Sequence, residues 1–299
     1  MDRLHLMTVF VAVAEESGFA GAARRLGMSP PAVTRAIAAL EERLGVKLLN
    51  RTTRYVRTTE AGQRYLEDAR RIIADADEAD EAAAGINATP RGHLTITAPV
   101  LFGRLFVMPR VVEFLKLYPA VDVSALFLDR VVNMMEEGVD VAVRIGELPD
   151  SAMRAIRVGT VRRVLCASPE YLQQNGIPHN PQDLQQHQIV AAVGVTPTVE
   201  WKFSHKGESS SVRIKPRLTV TSNDAAIEAV SHHAGITRLI SYQVAPQLAS
   251  GQLKTVLAEY EPPPLPIHVI HREGRYSSAK VRSFIDFIAA SLKQDAALG

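Results

Sequence analysis

FAGAARRLGMSPPAVTRAIAALEERLGVKLL, residues Phe19 to Leu49, decides how this chain is read. Two short helical patterns flank a break at Gly27-Met28. Ala22, Ala23 and Leu26 give the first an apolar face, and Val33, Ile37, Leu40 and Leu44, spaced four, three and four, give the second its own. The opposite face of the second helix carries Pro31, Arg35 and Ala38, with Thr34 at its edge. Small, polar and cationic side chains let that face come close to a large partner, as when a helix-turn-helix sets its second helix in the major groove of DNA. Pro30 and Pro31 open the helix, where a missing N–H is tolerated. Because Pro31 disfavours helical angles at the residue before it, the helix is expected to begin at Pro31.

Working outward, Leu4 to Glu16 reads as a helix buried on more than one side that supports this pair. After it, Asn50-Arg51-Thr52-Thr53-Arg54-Tyr55-Val56-Arg57 reads as a wing whose Arg51, Arg54 and Arg57 meet phosphates or the adjacent minor groove. Thr59 is the expected N-cap of a helix running to about Ile86, roughly 40 Å long. Tyr65, Ala69, Ile72, Ala76, Ala79, Ala83 and Ile86 repeat with alternating spacings of four and three, an uninterrupted heptad seam expected to pair two copies of the chain. Charge follows the same division. Residues 1–64 hold ten Lys/Arg against six Asp/Glu, whereas residues 65–90 hold two against seven, so a nucleic-acid contact belongs to the head.

Asn87 to Gly92 breaks the helix and reads as a hinge. From His93 strands alternate with helices: HLTITAPV, a helix from Phe102 to Tyr118, VDVSALFL, a short helix near Val131 to Glu137, then VDVAVRIG. That alternation implies a parallel sheet with helices on its faces. VRRVLCAS crosses to a second lobe, in which QIVAAV, EWKFSH and VRIKPRLTVT are strands and Asp224 to His233 a helix. PPPLPIHVIHR returns to the first lobe, and Ala279 to Leu292 closes the chain as an amphipathic helix. Ligands of such folds sit beyond the carboxyl ends of strands and between lobes. Three segments are expected there. They are Pro99-Val100-Leu101-Phe102, at a helix start that favours an anion; Arg144 and Gly146 after a strand; and Thr221-Ser222-Asn223 before a helix.

SGFAGAARRLGMSPPAVTRAIAALEERLGVKLLNRTTR resembles the amino-terminal signature of the LysR-type transcriptional regulators, and the later segments extend the resemblance over almost the whole chain. It implies a winged helix-turn-helix DNA-binding domain over 1–59, a dimerisation helix and hinge over 60–91, and a two-lobed α/β periplasmic-binding-protein-like effector domain over 92–299. Lobe I would take 92–164 and 266–299, and lobe II 165–265. Ser29, Pro30, Pro31, Thr34, Arg35, Arg51 and Arg54 are then the expected contacts to double-stranded DNA, with Arg35 and Arg51 foremost. The resemblance further implies a small organic effector, a homodimer or dimer of dimers (a homotetramer), contact with RNA polymerase in an activator, and a cytoplasmic location. Two positions depart from the family pattern. Pro30 replaces a common glutamine, leaving only apolar contact to a base. Leu101 replaces a serine or threonine, which favours an apolar or partly polar effector, aromatic or lactone-like, over a simple carboxylate.

Other function classes find less support. No apolar run approaches the roughly 20 residues of a membrane span. MDRLHLMTVF lacks the features of a secretory signal, which argues against a solute-binding protein that never meets DNA. Cys166 is the only cysteine and reads as a small buried hydrophobe on a strand. His232-His233 and His268/His271 have spacings that do not chelate, so no metal is expected. No catalytic constellation or cofactor motif occurs, which argues against an enzyme.

Overall fold

The computed structural model describes residues 2–51, 56–84, 89–148, 153–192, 200–272 and 278–298. The chain folds as two units dividing between residues 88 and 89. In the first, α1 (Arg3–Glu15), α2 (Phe19–Leu26) and α3 (Pro30–Leu44) precede two antiparallel strands, β1 (Leu49–Arg51) and β2 (Val56–Thr58), and the long α4 (Glu60–Ala84). Their apolar faces meet in one core, with Phe10, Val33, Ile37, Leu40 and Leu48 almost completely buried. Gly27 (φ 63°) and Gly45 (φ 69°) stop α2 and α3 in the left-handed conformation that glycine adopts without steric cost.

Helix α3 begins at Pro30, one residue earlier than expected. Ser29 caps it by accepting from the Ala32 N–H at 3.4 Å, and the Thr34 hydroxyl donates to the Pro30 carbonyl at 3.0 Å. Those two bonds hold Pro30 in the first turn against the local preference set by Pro31.

The strands that carry the wing are fastened by Glu41, whose side chain is 3% exposed. Its carboxylate accepts from Lys47 Nζ at 2.7 Å and from the backbone N–H groups of Leu48 at 3.0 Å and Leu49 at 3.2 Å. Burial alone would raise its pKa, but these donors outweigh that and hold it below the ordinary carboxylate value. A carboxylate with a lowered folded-state pKa stabilises above its unfolded pKa, and the benefit fades as pH falls through the folded one. Glu41→Gln is therefore expected to cost about 1–3 kcal/mol at neutral pH and to flatten the loss of head stability in acid, as measured by thermal unfolding across pH.

Helix α4 starts where the sequence places it. Thr59 Oγ1 accepts from the Gly62 N–H at 2.9 Å and donates to the Lys47 carbonyl at 2.8 Å. Only part of the heptad seam, however, is free. Ala69 is fully buried and Tyr65 packs against Phe10 at 5.6 Å between ring centroids, so both are used inside the head's own core. Ile72 is 37% exposed, Ala76 is half-buried and Ala79 exposed. The side chain of Ala83 and the whole of Ile86 lie outside the described residues.

The second unit holds two five-stranded sheets. The first has the order β4 (Val121–Phe127), β3 (Gly92–Ala98), β5 (Val141–Ile145), β14 (Leu265–Arg272), β6 (Met153–Val161). The second has β11 (Leu218–Val220), β8 (Ile189–Ala192), β12 (Ile236–Ile240), β7 (Arg163–Ala167), β13 (Lys254–Val256). Neither is wholly parallel. In each, four strands run in one direction and one runs against them, β14 in the first sheet and β7 in the second, because the strand that enters each lobe from the other is the reversed one. The crossing falls at Arg162, slightly before the expected boundary at 164/165, and the return strand starts at Leu265. An Arg162–Glu261 ion pair of 3.0 Å ties the two crossings together.

Helix α5 (Val100–Phe102) runs through a π turn (Gly103–Val107) into α6 (Met108–Leu117), and with α10 (Ala279–Lys293) it covers one face of the first sheet. No helix forms near Val131 to Glu137. Asn133 Oδ1 accepts from the Met135 and Glu136 N–H groups, which closes a turn there instead. VRIKPRLTVT likewise splits at Pro216. Its first part belongs to β10 (Glu208–Arg213), which forms a hairpin with β9 (Glu200–His205), and its last part forms β11. The short α7 (Pro169–Asn175), α8 (Asn223–Ser231) and α9 (Ala245–Ala249) complete the second lobe. Cys166 on β7 is fully buried, which pushes its pKa up to about 12.

Candidate DNA-binding and effector sites

On α3 the four apolar positions that pattern the sequence face the core, Val33, Ile37 and Leu40 being fully buried. Ser29, Pro30, Pro31, Thr34, Arg35 and Ala38 are all exposed on the other side. Among the described residues Arg35 has no hydrogen bond or ion pair with the rest of the chain. Arg25 differs: it bonds Glu15 at 2.6 Å, and Arg70 bonds the same carboxylate at 2.8 Å, so Glu15 ties α1, α2 and α4 together. Against the burial that would raise it, those two guanidinium groups hold the Glu15 pKa low. Arg57 projects to solvent from β2. Arg51 ends β1, but its side chain, like all of Arg54, lies outside the described residues.

In the second unit the two lobes meet on aromatic side chains. Phe102 and Phe106 from the first lobe stack at 4.9 Å, and Tyr242 from the second stands edge-on to both at 5.5 and 5.6 Å. Arg104 and Asp224 face each other across the lobes at 3.7 Å, which brings the helix after Pro99 beside Thr221-Ser222-Asn223. Ser222 caps α8 by accepting from the Ala225 N–H. Among the described residues the buried Tyr242 hydroxyl has no hydrogen-bond partner of good geometry, Gln243 being its polar neighbour. Burial pushes the Tyr242 pKa up, the adjacent Gln243 side chain partly offsets this, and the Asp129 carboxylate adds to the rise.

Two features bear on what was expected of this cleft. The helix start does not await an external anion, because the Val100 N–H already donates to Asp129 Oδ1 at 3.0 Å. Leu101 (2% exposed) and Phe102 (fully buried) are packed in the core, Phe102 against Tyr242 at the junction of the lobes, whereas Val100 is exposed. From sequence, Asp129 reads as a solvated charge or as part of the cleft mouth, and Tyr242 is passed over. Asp129 stands just past a strand's carboxyl end, a place where a charged side chain lines a cleft mouth. No local pattern marks Tyr242, because its position depends on how the second lobe folds back.

Arg144 lies near the carboxyl end of β5. It shares a sheet face with Ala142 and Ile270, opposite the face carrying Val141, Val143 and Val269 under α6 and α10. Gly146 adopts φ 120°, and its N–H donates to the Pro266 carbonyl at 2.9 Å.

Residues 4–63 match the family described as "Bacterial regulatory helix-turn-helix protein, lysR family", and residues 87–293 match "LysR substrate binding domain". Over 290 residues the chain is 31% identical to the probable HTH-type transcriptional regulator LtrA of Klebsiella pneumoniae, covering 96% of this chain and 94% of that one. Among solved structures, CrgA from Neisseria meningitidis, a LysR-type transcriptional regulator, is similar with a TM-score of 0.61 at 31% identity, covering 96% and 98% of the two chains. The full-length virulence activator AphB of Vibrio cholerae gives 0.62 at 27% identity, covering 97% and 99%. Among the described residues no helix is long and apolar enough to cross a membrane. The chain belongs to the LysR family of transcriptional regulators, with a DNA-binding helix-turn-helix head and an effector-binding regulatory domain.

Proposed function

We propose that two copies of this chain read a pseudo-palindromic DNA site through α3. The exposed face of that helix, with Arg35 free of any partner among the described residues, is the observation that carries the reading. Ser29, Pro30, Pro31 and Thr34 approach the bases, Arg35 reaches them, and Arg51, Arg54 and Arg57 hold phosphates along the wing. Ile72, Ala76 and Ala79, continuing to Ala83 and Ile86, form the dimer stem, and dimers pair again into a tetramer. The protein acts in the cytoplasm and, where it activates, meets RNA polymerase. A mobility-shift titration on the DNA upstream of its own gene, repeated across salt concentrations, tests the DNA reading. Affinity that does not fall with salt would reject it.

We further propose that the effector is a small, uncharged molecule with a hydrogen-bond acceptor, such as a carbonyl, for Tyr242 and a donor for Asp129. Val100, Arg144, Gly146, Thr221, Ser222 and Asn223, together with Pro99, Leu101 and Phe102, were the candidates. Of these, exposure supports Val100 and the Thr221–Asn223 segment. The Tyr242 hydroxyl, which has no partner of good geometry among the described residues, and the carboxylate already seated on the Val100 N–H support an uncharged ligand over an acid. Tyr242→Phe is expected to leave the ligand-free melting temperature unchanged or slightly higher, since it removes a poorly satisfied buried group. The same substitution should remove most of the thermal shift given by neutral compounds in a library screen. Undiminished shifts in the variant would place the effector elsewhere.

A further inference from the structure

The net positive charge of the regulatory unit sits in one place. Residues 91–299 hold 22 Lys/Arg against 19 Asp/Glu, and residues 200–219 alone hold five against two, which leaves 17 against 17 everywhere else. Those five are Lys202, Lys206, Arg213, Lys215 and Arg217. All are exposed, and among the described residues none of them forms an ion pair. Unpaired cations gathered on one element sum to a positive potential that draws an extended anion.

The β9–β10 hairpin turns these charges outward. Its strands alternate, with Trp201, Phe203 and Val212 buried against the second sheet and Ile214 buried just past β10. Arg238 stands over the Trp201 ring at 4.9 Å, which fastens the underside further. The register places on the opposite face the pairs Glu200–Arg213, Lys202–Ser211 and Ser204–Ser209. Glu200 accepts from the Ser211 hydroxyl and makes no ion pair with Arg213 across from it. Lys202 and Arg213 are then diagonal neighbours, about 7–8 Å apart. The two-residue turn adds Lys206 at φ 50°, ahead of Gly207 at φ 85°. Such left-handed angles ordinarily go to Asn or Gly, so the cation at the tip is kept at a backbone cost.

We propose that this hairpin holds the phosphate backbone of DNA flanking the site that α3 reads. The inference rests on the DNA reading of the head and adds to it a second contact, made by the regulatory unit. Phosphate fits better than an acidic protein surface, because the outer face sets the hydroxyls of Ser204 and Ser209 beside its cations and offers no apolar side chain to bury. That is the composition of a backbone-positioning contact, not of the core of a protein interface. Once the head is bound, the duplex stays at high effective concentration for the rest of the same chain, so a few weak contacts suffice.

The test is fluorescence anisotropy of the full-length protein on two operator duplexes, one ending at the site and one extended by about two helical turns on each side. The extended duplex should bind about tenfold tighter. Lys202→Gln combined with Arg213→Gln should remove most of that gain. It should also lower the salt slope on the extended duplex by about two, since each phosphate contact contributes about 0.9. The same variant should bind the short duplex as the wild type does. Trp201, the only tryptophan, shows through its emission that the hairpin is still seated. Equal wild-type affinity for the two duplexes, a variant that keeps the gain, or equal losses on both lengths overturns the proposal and leaves the reading of α3 in place. If neither duplex binds, that reading fails and takes this one with it. If the variant binds both duplexes normally but sediments at lower mass, the cations meet the acidic residues 65–90 of a second copy, and the DNA contact is rejected.

Discussion

Arg35→Ala is expected to weaken binding to the protein's own operator by about ten- to hundredfold, the equivalent of about 1–3 kcal/mol. The guanidinium is exposed on α3 with no bond to the rest of the chain among the described residues, so its removal should leave the melting temperature in place. Binding to unrelated DNA should fall much less, because phosphate contacts from the wing remain. Fluorescence anisotropy on operator and scrambled duplexes separates the two, and equal losses on both would make Arg35 a phosphate contact rather than a base reader. Arg25→Ala is the matched control. It breaks the Glu15 pair at 2.6 Å, so its expected effect is on stability of the head rather than on selectivity.

Gly62→Ala has the largest expected effect on folding. A Cβ at this position would lie 2.0 Å from the Leu48 carbonyl oxygen and 2.9 Å from its carbon, both backbone atoms that cannot swing away. Helix α4 would have to lift from β1, breaking the Thr59 bonds to Gly62 and Lys47. Overpacking of this kind costs about 1–3 kcal/mol, and more where backbone meets backbone. The head should melt earlier and lose DNA binding, whereas the regulatory unit, which folds around its own core, should keep its thermal response to effector. A variant that binds DNA normally would show that α4 and the wing strands are not coupled in this way.

Much of this was legible from residue order because periodic patterns repeat locally. The four-three spacing of Val33, Ile37, Leu40 and Leu44 marks an inward face whatever the helix packs against, and the exposed face follows by elimination. Thr59 as a cap needs only its neighbours. Other features depended on what lies far away in the chain. The heptad ran unbroken from Tyr65, yet its first two members face Phe10 and the head core, since a small apolar residue fits a domain core as well as a partner helix. At the helix start the Val100 N–H meets the carboxylate of Asp129, 29 residues on, a partner that residue order alone does not name.

The sequence by itself therefore determined the helix-turn-helix, its outward face, the α/β alternation of the regulatory unit and the family. Each rests on short-range periodicity, capping and turn chemistry. Only the tertiary structure decided that the sheets are mixed, that Tyr242 crosses to the Phe102–Phe106 pair, and that Arg144 stands beside His268. Those are matters of strand direction and register between segments more than 100 residues apart, as with β5 and β14. A shift of one residue in register would exchange the two faces of a strand without changing any local pattern.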